Sequence, residues 1–372
     1  MRTTRLMWRA IGYLLYRLHS SYAVPTSLGI CLSHKCNINC VYCMRKTFTP
    51  TAGPMTLANI QNMLRRMPYI STIVIQGLCE PYMNPECPQI IKWLSSQGYH
   101  ISFTTNGTVP LTGERLDCLR YVNDFVISID TNDPETFNFL RGGAQFNVVM
   151  ENFRRVIDMK HSLGLTKHDN PPMHINAVIT TKNFEQMRGL IDMLEPYADD
   201  VTYLMVDPVS RPDYSRFEDP LALVHDAKFE DEIKELKEFV SHKRLHVVGL
   251  DYMLVPSYGW RDCPLPWLNL WVQPNGDVYE FYGFDYVVGN VFKQDPLRAH
   301  NSAKARAFRK QLLTANPPLQ QCHSCNFARQ GWQIHGGYIT RSRVLSERKP
   351  MTAYEALKHV LSVLSRRGGQ TF

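Results

Sequence analysis

Between residues 25 and 225, short apolar runs alternate with longer stretches whose apolar residues recur at helical spacing. The spacing predicts strands over Leu28–Leu32, Thr72–Gln76, His100–Thr104, Phe125–Ile129, Ile175–Ile179 and Val201–Val206. Helical patterns fill the gaps, among them Leu57–Met67, Pro88–Gln97 and Val148–Leu163. Repeated strand–helix units with apolar strands predict an α/β fold, a parallel sheet covered by helices. Six such units predict an open, partial (β/α)6 barrel, in which ligands gather at the carboxyl ends of the strands.

The flanks follow other patterns. In residues 1–24, Leu6, Ala10, Ile11, Leu14, Leu15 and Leu18 fall at helical spacing beside Arg2, Arg5, Arg9 and Arg17. This is a basic amphipathic helix, either packed on the body of the protein or resting on a membrane surface. Residues 226–255 carry Glu230, Asp231, Glu232, Lys234, Glu235, Lys237 and Glu238, and read as an exposed helix linking two halves. A second module spans 256–335. There Asn275-Gly276 separates Leu270-Trp271-Val272 from Val278-Tyr279, a hairpin signal because both turn residues need positive φ. Residues 336–372 form a tail ending in a short basic amphipathic helix.

Composition narrows the class. The chain has 372 residues, 44% of them hydrophobic, and a formal net charge of +7. No run reaches the ~20 apolar residues that span a bilayer. Aromatic and basic residues do not interleave as nucleic-acid binding would require. Ten cysteines, without a convincing secretory signal, point to a cytoplasmic protein with reduced thiols. Clustered cysteines then read as metal ligands, and Cys31, Cys87 and Cys118 as small core residues.

Cys36-Asn-Ile-Asn-Cys40-Val-Tyr-Cys43 is C-x3-C-x2-C just past the first strand. Three thiolates can hold three irons of a cubane and leave the fourth open to an amino and carboxylate chelator. Zinc is the alternative, with His34 as fourth ligand. With its landmarks in order, the chain resembles the radical S-adenosylmethionine (SAM) superfamily across residues 25–215. These are the cysteine motif with Tyr42 before its last cysteine, Gln76-Gly77-Leu78-Cys79-Glu80-Pro81, Thr105-Asn106-Gly107, Ser128-Ile129-Asp130 and Arg141-Gly142-Gly143. The resemblance implies a [4Fe–4S] cluster on Cys36, Cys40 and Cys43. It implies S-adenosylmethionine held by Tyr42, Glu80, Asn106, Ser128 and Arg141, with Glu80 on the methionyl ammonium and the Ser128 and Arg141 positions on the ribose and carboxylate. It also implies reductive cleavage to a 5′-deoxyadenosyl radical, fed by an electron donor such as flavodoxin or ferredoxin.

Cys263, Cys322 and Cys325 resemble the SPASM/twitch extensions of that superfamily, which open with C-x9–15-G-x4-C. Phe281 replaces the second cysteine of that pattern, so a twitch-like module with one auxiliary [4Fe–4S] cluster is the better match. Glu280, Tyr282, Asp285 and His323 are candidates for its fourth ligand; zinc bound through His323 is the alternative. Cys79, Glu280, Tyr282 and Asp207 are the candidate catalytic residues, Cys79 as a hydrogen-atom donor and Asp207 on a substrate hydroxyl or amine. Arg211 is a candidate anion contact. The leading expectation is a radical oxidoreductase or epimerase acting on a polar, sugar- or cyclitol-like small molecule. The rivals are a peptide-modifying radical enzyme and a non-catalytic metal-binding scaffold.

Overall fold

Six parallel strands form where the apolar runs predict them: β1 (Ser27–Ile30), β2 (Thr72–Ile75), β3 (His100–Thr105), β4 (Asp124–Ser128), β5 (Met173–Ile179) and β6 (Val201–Pro208). The computed structural model describes residues 2–43, 45, 53–208, 227–250, 263–280, 286–314, 332–335 and 338–341. Its helices are α1 (Arg2–Arg17), α2 (Leu57–Leu64), α3 (Cys87–Ser96), α4 (Glu114–Asp117), α5 (Pro134–Leu140), α6 (Phe146–Ser162), α7 (Met187–Leu194), α8 (Ala227–Ser241), α9 (Leu265–Leu268), α10 (Pro296–His300) and α11 (Ala303–Thr314). Local chemistry starts several of them. Thr56 and Asn59 form a reciprocal capping box at α2. Asp133 caps α5 by accepting from the Thr136 N–H, with Pro134 next in line.

Strands β1 to β6 lie in sequence order. Right-handed crossovers that all step the same way put every helix on one face, which curls the sheet into an open barrel. Burial shows the two faces. Ile73, Ile75, Ile101, Phe103, Phe125, Ile127, Ile175, Leu204 and Val206 are fully buried in one continuous core. The alternate positions are partly exposed and mixed: Gln76, Ser102, Thr104, Asn176 and Asp207 are polar, whereas Val74, Val126, Val178 and Met205 are apolar.

The sheet also grows at both edges. A short strand, β7 (Val247–Val248), pairs parallel with β6. The hairpin of β8 (Asn269–Val272) and β9 (Asp277–Tyr279), followed by β10 (Val287–Asn290), joins beside β1, where Ser27 to Ile30 run in register with Asn269 to Val272. The expected hairpin is therefore present, but as a continuation of the barrel sheet, and of Asn275 and Gly276 only Gly276 takes the positive φ expected of both. At its turn Gly276 has φ +83, and a Cβ there would meet the Phe292 ring at 2.5 Å. A further two-stranded sheet pairs β11 (Trp332–His335) with β12 (Tyr338–Arg341).

The charged segment differs from its exposed reading. Phe229, Ile233 and Leu236 of α8 are buried, so the helix packs on the barrel, and its dense charge pattern masks a narrow apolar stripe. The N-terminal helix also packs. Trp8 meets Tyr69 edge-on at 6.3 Å, Tyr16 meets Trp267 at 5.8 Å, and Arg5 donates to the Gly98 carbonyl at 2.8 Å. Those contacts lie just before β2, β8 and β3, which places α1 across the amino ends of the strands. Among the described residues no helix is long and apolar enough to cross a membrane.

Candidate active site

The cysteine loop leaves the carboxyl end of β1 and is fastened to the end of α5. The Asn39 N–H donates to the Gly142 carbonyl at 3.2 Å and the Val41 N–H to the Leu140 carbonyl at 2.9 Å. Gly142 has φ +55, and a Cβ there would stand 2.0 Å from the Asn39 carbonyl oxygen, so only glycine permits this approach. A second web ties the loop to the turn after β3. The Asn106 side chain donates to Asn37 Oδ1 at 3.0 Å and lies 3.7 Å from Cys36 Sγ, and Asn37 donates to Thr108 Oγ1 at 2.7 Å. Burial raises the Cys36 thiol and pushes Cys40 up to about 11.

Beneath the loop lies a buried charge cluster that the sequence landmarks did not link. Asp130, fully buried at the end of β4, accepts two bonds from Arg141 at 2.6 Å each. It also accepts from the Tyr42 hydroxyl at 2.5 Å and from the Val178 N–H at 2.9 Å. The Arg141 guanidinium stands 5.7 Å from the centre of the Tyr42 ring. The arginine expected on a methionyl carboxylate thus holds a buried aspartate, and Tyr42 is the link between that pair and the cysteine loop.

Glu80 is fully buried after β2. Its carboxylate accepts from Thr105 Oγ1 and the Asn106 N–H at 2.8 Å each, and from the Tyr82 N–H at 3.2 Å. Burial still dominates, and its pKa is pushed up to about 7. Those three bonds lower the pKa without offsetting the burial. Ser128 is buried at the end of β4, level with Asn176. Asp207 lies on the inner face of β6. His34, the candidate fourth zinc ligand, is buried and pairs its Nε2 with Gln273 Oε1 at 3.0 Å, turned towards the hairpin.

The remaining candidates divide. Cys79 is partly exposed and stands next to Glu80 in the chain. Cys31 is buried as expected and donates from Sγ to the Ser33 carbonyl at 2.9 Å. Cys87 and Cys118 are core thiols as expected. Glu280 is not brought to the cysteine loop. β9 runs antiparallel, so the chain beyond Tyr279 heads for the amino end of β1, whereas the loop leaves its carboxyl end. Glu280 is fully buried there, 3.2 Å from Arg309, which also donates to the Pro266 and His300 carbonyls at 2.6 and 2.8 Å. Burial outweighs the arginine and pushes Glu280 up to about 8. Cys263 is described just before α9, while Tyr282, Asp285, Cys322, His323, Cys325 and Arg211 lie outside the described residues.

Residues 30–173 match the radical SAM superfamily, and residues 263–326 match SPASM, an iron-sulfur cluster-binding domain. The chain therefore carries a radical SAM domain and a SPASM domain. Radical SAM proteins with this extension use a [4Fe–4S] cluster, S-adenosylmethionine and auxiliary iron-sulfur clusters. A probable GTP 3′,8-cyclase of Methanothermobacter thermautotrophicus is 30% identical over 157 residues, 41% of this chain and 48% of that protein. The chain thus spans about half the length of the curated relatives it matches. Streptococcus suis SuiB, solved with its precursor peptide SuiA, superposes with a TM-score of 0.61 at 16% identity, covering 82% of this chain and 71% of that one. The protein anSMEcpe, solved with AdoMet and the Cp18Cys peptide, gives 0.60 at 17% identity, covering 92% and 97%. These two structures support the fold.

Proposed function

We propose that this chain directs a 5′-deoxyadenosyl radical to a C–H bond of a polar, hydroxyl-bearing small molecule held against the inner face of its barrel. The observation that carries the reading is the meeting, at the carboxyl ends of β1 to β4, of a three-cysteine loop with the buried carboxylate of Glu80. Cys36, Cys40 and Cys43 would hold the [4Fe–4S] cluster, a donor set of three thiols with His34 committed elsewhere. Glu80 fits the ammonium of S-adenosylmethionine, because a cation there would relieve the desolvation that raises its pKa. When bound, the cluster and S-adenosylmethionine supply the radical, with electrons from a donor of the flavodoxin or ferredoxin class.

The chain's own residues do the rest. Asp130 and Arg141 hold Tyr42 and so fix the loop, acting as positioning residues. Ser128 and Asn106 line the approach to the ribose. Gln76, Ser102, Thr104, Asn176 and Asp207 offer donors and acceptors that orient a hydroxylated substrate. Cys263, Cys322 and Cys325 would hold an auxiliary cluster, and a net dehydrogenation needs such an electron acceptor. A second reading, peptide modification, is favoured by the fold shared with SuiB, solved with a precursor peptide.

The test is anaerobic reconstitution with iron and sulfide, then dithionite and S-adenosylmethionine, with 5′-deoxyadenosine read by mass spectrometry. Release is expected, and its persistence in C36A/C40A/C43A would sink the assignment. Iron retained by that triple variant is the expected mark of the auxiliary cluster; complete loss of iron would refute it. Faster release with sugars, cyclitols or nucleotides supports the small-molecule reading, whereas acceleration only by peptides overturns it.

A further inference from the structure

The web that ties the cysteine loop to the turn after β3 leaves one hydrogen of the Asn106 side chain facing a thiol. The partners of that amide fix its orientation. The Thr108 N–H, which can only donate, donates to Asn106 Oδ1 at 2.8 Å, and the Thr108 hydroxyl donates to the same oxygen at 2.6 Å. The NH2 group therefore points the other way. One of its hydrogens goes to Asn37 Oδ1 at 3.0 Å, and Asn37 donates in turn to Thr108 Oγ1 at 2.7 Å. Three side chains thus close a ring, and the ring is complete without sulfur. The second hydrogen is directed to Cys36 Sγ at 3.7 Å, a longer contact than one to oxygen because sulfur is larger.

The donor belongs to the barrel and not to the loop that carries the thiols. Gly107 follows it with φ +74, where a Cβ would come within 2.9 Å of Ile127 and Val149. The buried Asn152 donates to the Gly107 and Val109 carbonyls at 2.8 and 3.0 Å and so holds the turn in place. Cys43 differs, because its Sγ accepts from the Arg45 N–H at 3.4 Å within the loop itself.

We infer that Asn106 is a positioning residue that hydrogen-bonds the Cys36 sulfur of the loaded cluster and eases its reduction. The inference rests on the radical reading above and adds what sets the potential of the first cluster. Reduction adds one electron to the cluster, and part of the added negative charge falls on its thiolate sulfurs. An N–H aimed at one of them stabilises the reduced form more than the oxidised form. No bond forms or breaks in that step. The backbone N–H of the same residue donates to Glu80 Oε2 at 2.8 Å, so Asn106 braces both the cluster thiol and the carboxylate assigned to the S-adenosylmethionine ammonium.

The test is a redox titration of the reconstituted protein followed by electron paramagnetic resonance, reading the component whose spectrum changes when S-adenosylmethionine is added. Asn106→Asp keeps the shape and the Thr108 contacts but puts oxygen in place of NH2. At the wild-type midpoint its reduced-to-oxidised ratio is expected to fall at least tenfold, a shift of about 59 mV to lower potential for one electron. Thr108→Val opens the ring but keeps the backbone donor that orients the amide, and its midpoint should stay near that of wild type. A second readout needs no variant. With 15N on the asparagine side chains, pulsed resonance of the same reduced component should show a 15N coupling in wild type. An unmoved midpoint in Asn106→Asp, an equal shift in Thr108→Val, or no 15N coupling in wild type overturns the inference. If no component responds to S-adenosylmethionine, the radical reading fails with it; if one responds and its midpoint does not move, only the role of Asn106 fails.

Discussion

Replacing Asp130 by Asn tests whether the buried charge pair fixes the cysteine loop. Asp130 is completely buried and Arg141 nearly so, with side-chain exposures of 0% and 6%. The aspartate accepts four bonds, two from Arg141 and one each from Tyr42 and Val178. Asn keeps the shape but has one acceptor oxygen, and its NH2 group must face donors on the other side. Whichever way it turns, one guanidinium N–H loses its acceptor, together with either the Tyr42 hydroxyl or the Val178 N–H. The arginine is left as a buried charge without its counter-ion. Breaking a buried pair in this way costs about 3–5 kcal/mol. Tyr42→Phe removes one bond to a charged group, about 1.5–3 kcal/mol. If the two act through the same loop, the double variant loses less than the sum, with a coupling of about 0.5–3 kcal/mol. Part of the loss should appear as detachment of the loop and not as global unfolding. At tenfold per ~1.4 kcal/mol, a 3 kcal/mol loss shifts loop closure by about a hundredfold. The assays are urea denaturation under anaerobic conditions and iron per chain after reconstitution. D130N within about 0.5 kcal/mol of wild type, at full iron loading, would refute the brace.

Two further predictions bear on the same site. Gly142→Ala should leave the far-ultraviolet circular dichroism unchanged but lower iron in the first cluster, since its Cβ would collide with the Asn39 carbonyl; normal loading would show that the α5 clamp is dispensable. Burial lifts Glu80 to about 7 from 4.5, so the folded state binds this proton more tightly than the unfolded state, and the stability it contributes falls as pH rises through that window. The span corresponds to about 3 kcal/mol at most. Iron-free protein should therefore lose more stability between pH 4.5 and 7 than Glu80→Gln does, and parallel profiles would contradict an uncompensated carboxyl.

The strand phases were legible because period-2 alternation is a local signal, and Ile73, Ile75, Ile101 and Phe103 fall where it puts them. The cysteine loop was legible because its ligand spacing is local too. Pairings between distant segments were not. Asp130 and Arg141 both stood among the sequence landmarks, but nothing in their spacing says that they meet each other. Glu280 read as a candidate ligand from its place beside Phe281, and only the antiparallel return of β9 carries it to Arg309. The buried stripe of α8 was hidden because its surrounding charges dominate the pattern. Cys31 looked like core, and it is core, with its thiol donating to the Ser33 carbonyl.

The in-register pairing of β8 with β1 has a consequence for anyone who trims or grafts this protein. A boundary drawn before residue 263 looks natural along the chain, because a second iron-sulfur segment begins there. In space it would strip β1 of its neighbour and leave a row of unpaired backbone donors and acceptors beside Leu28 and Ile30, both fully buried in the intact molecule. Such an edge invites pairing with other chains. A shortened barrel should accordingly behave as an aggregating fragment, and moving the extension onto another barrel would require transplanting the first strand with it.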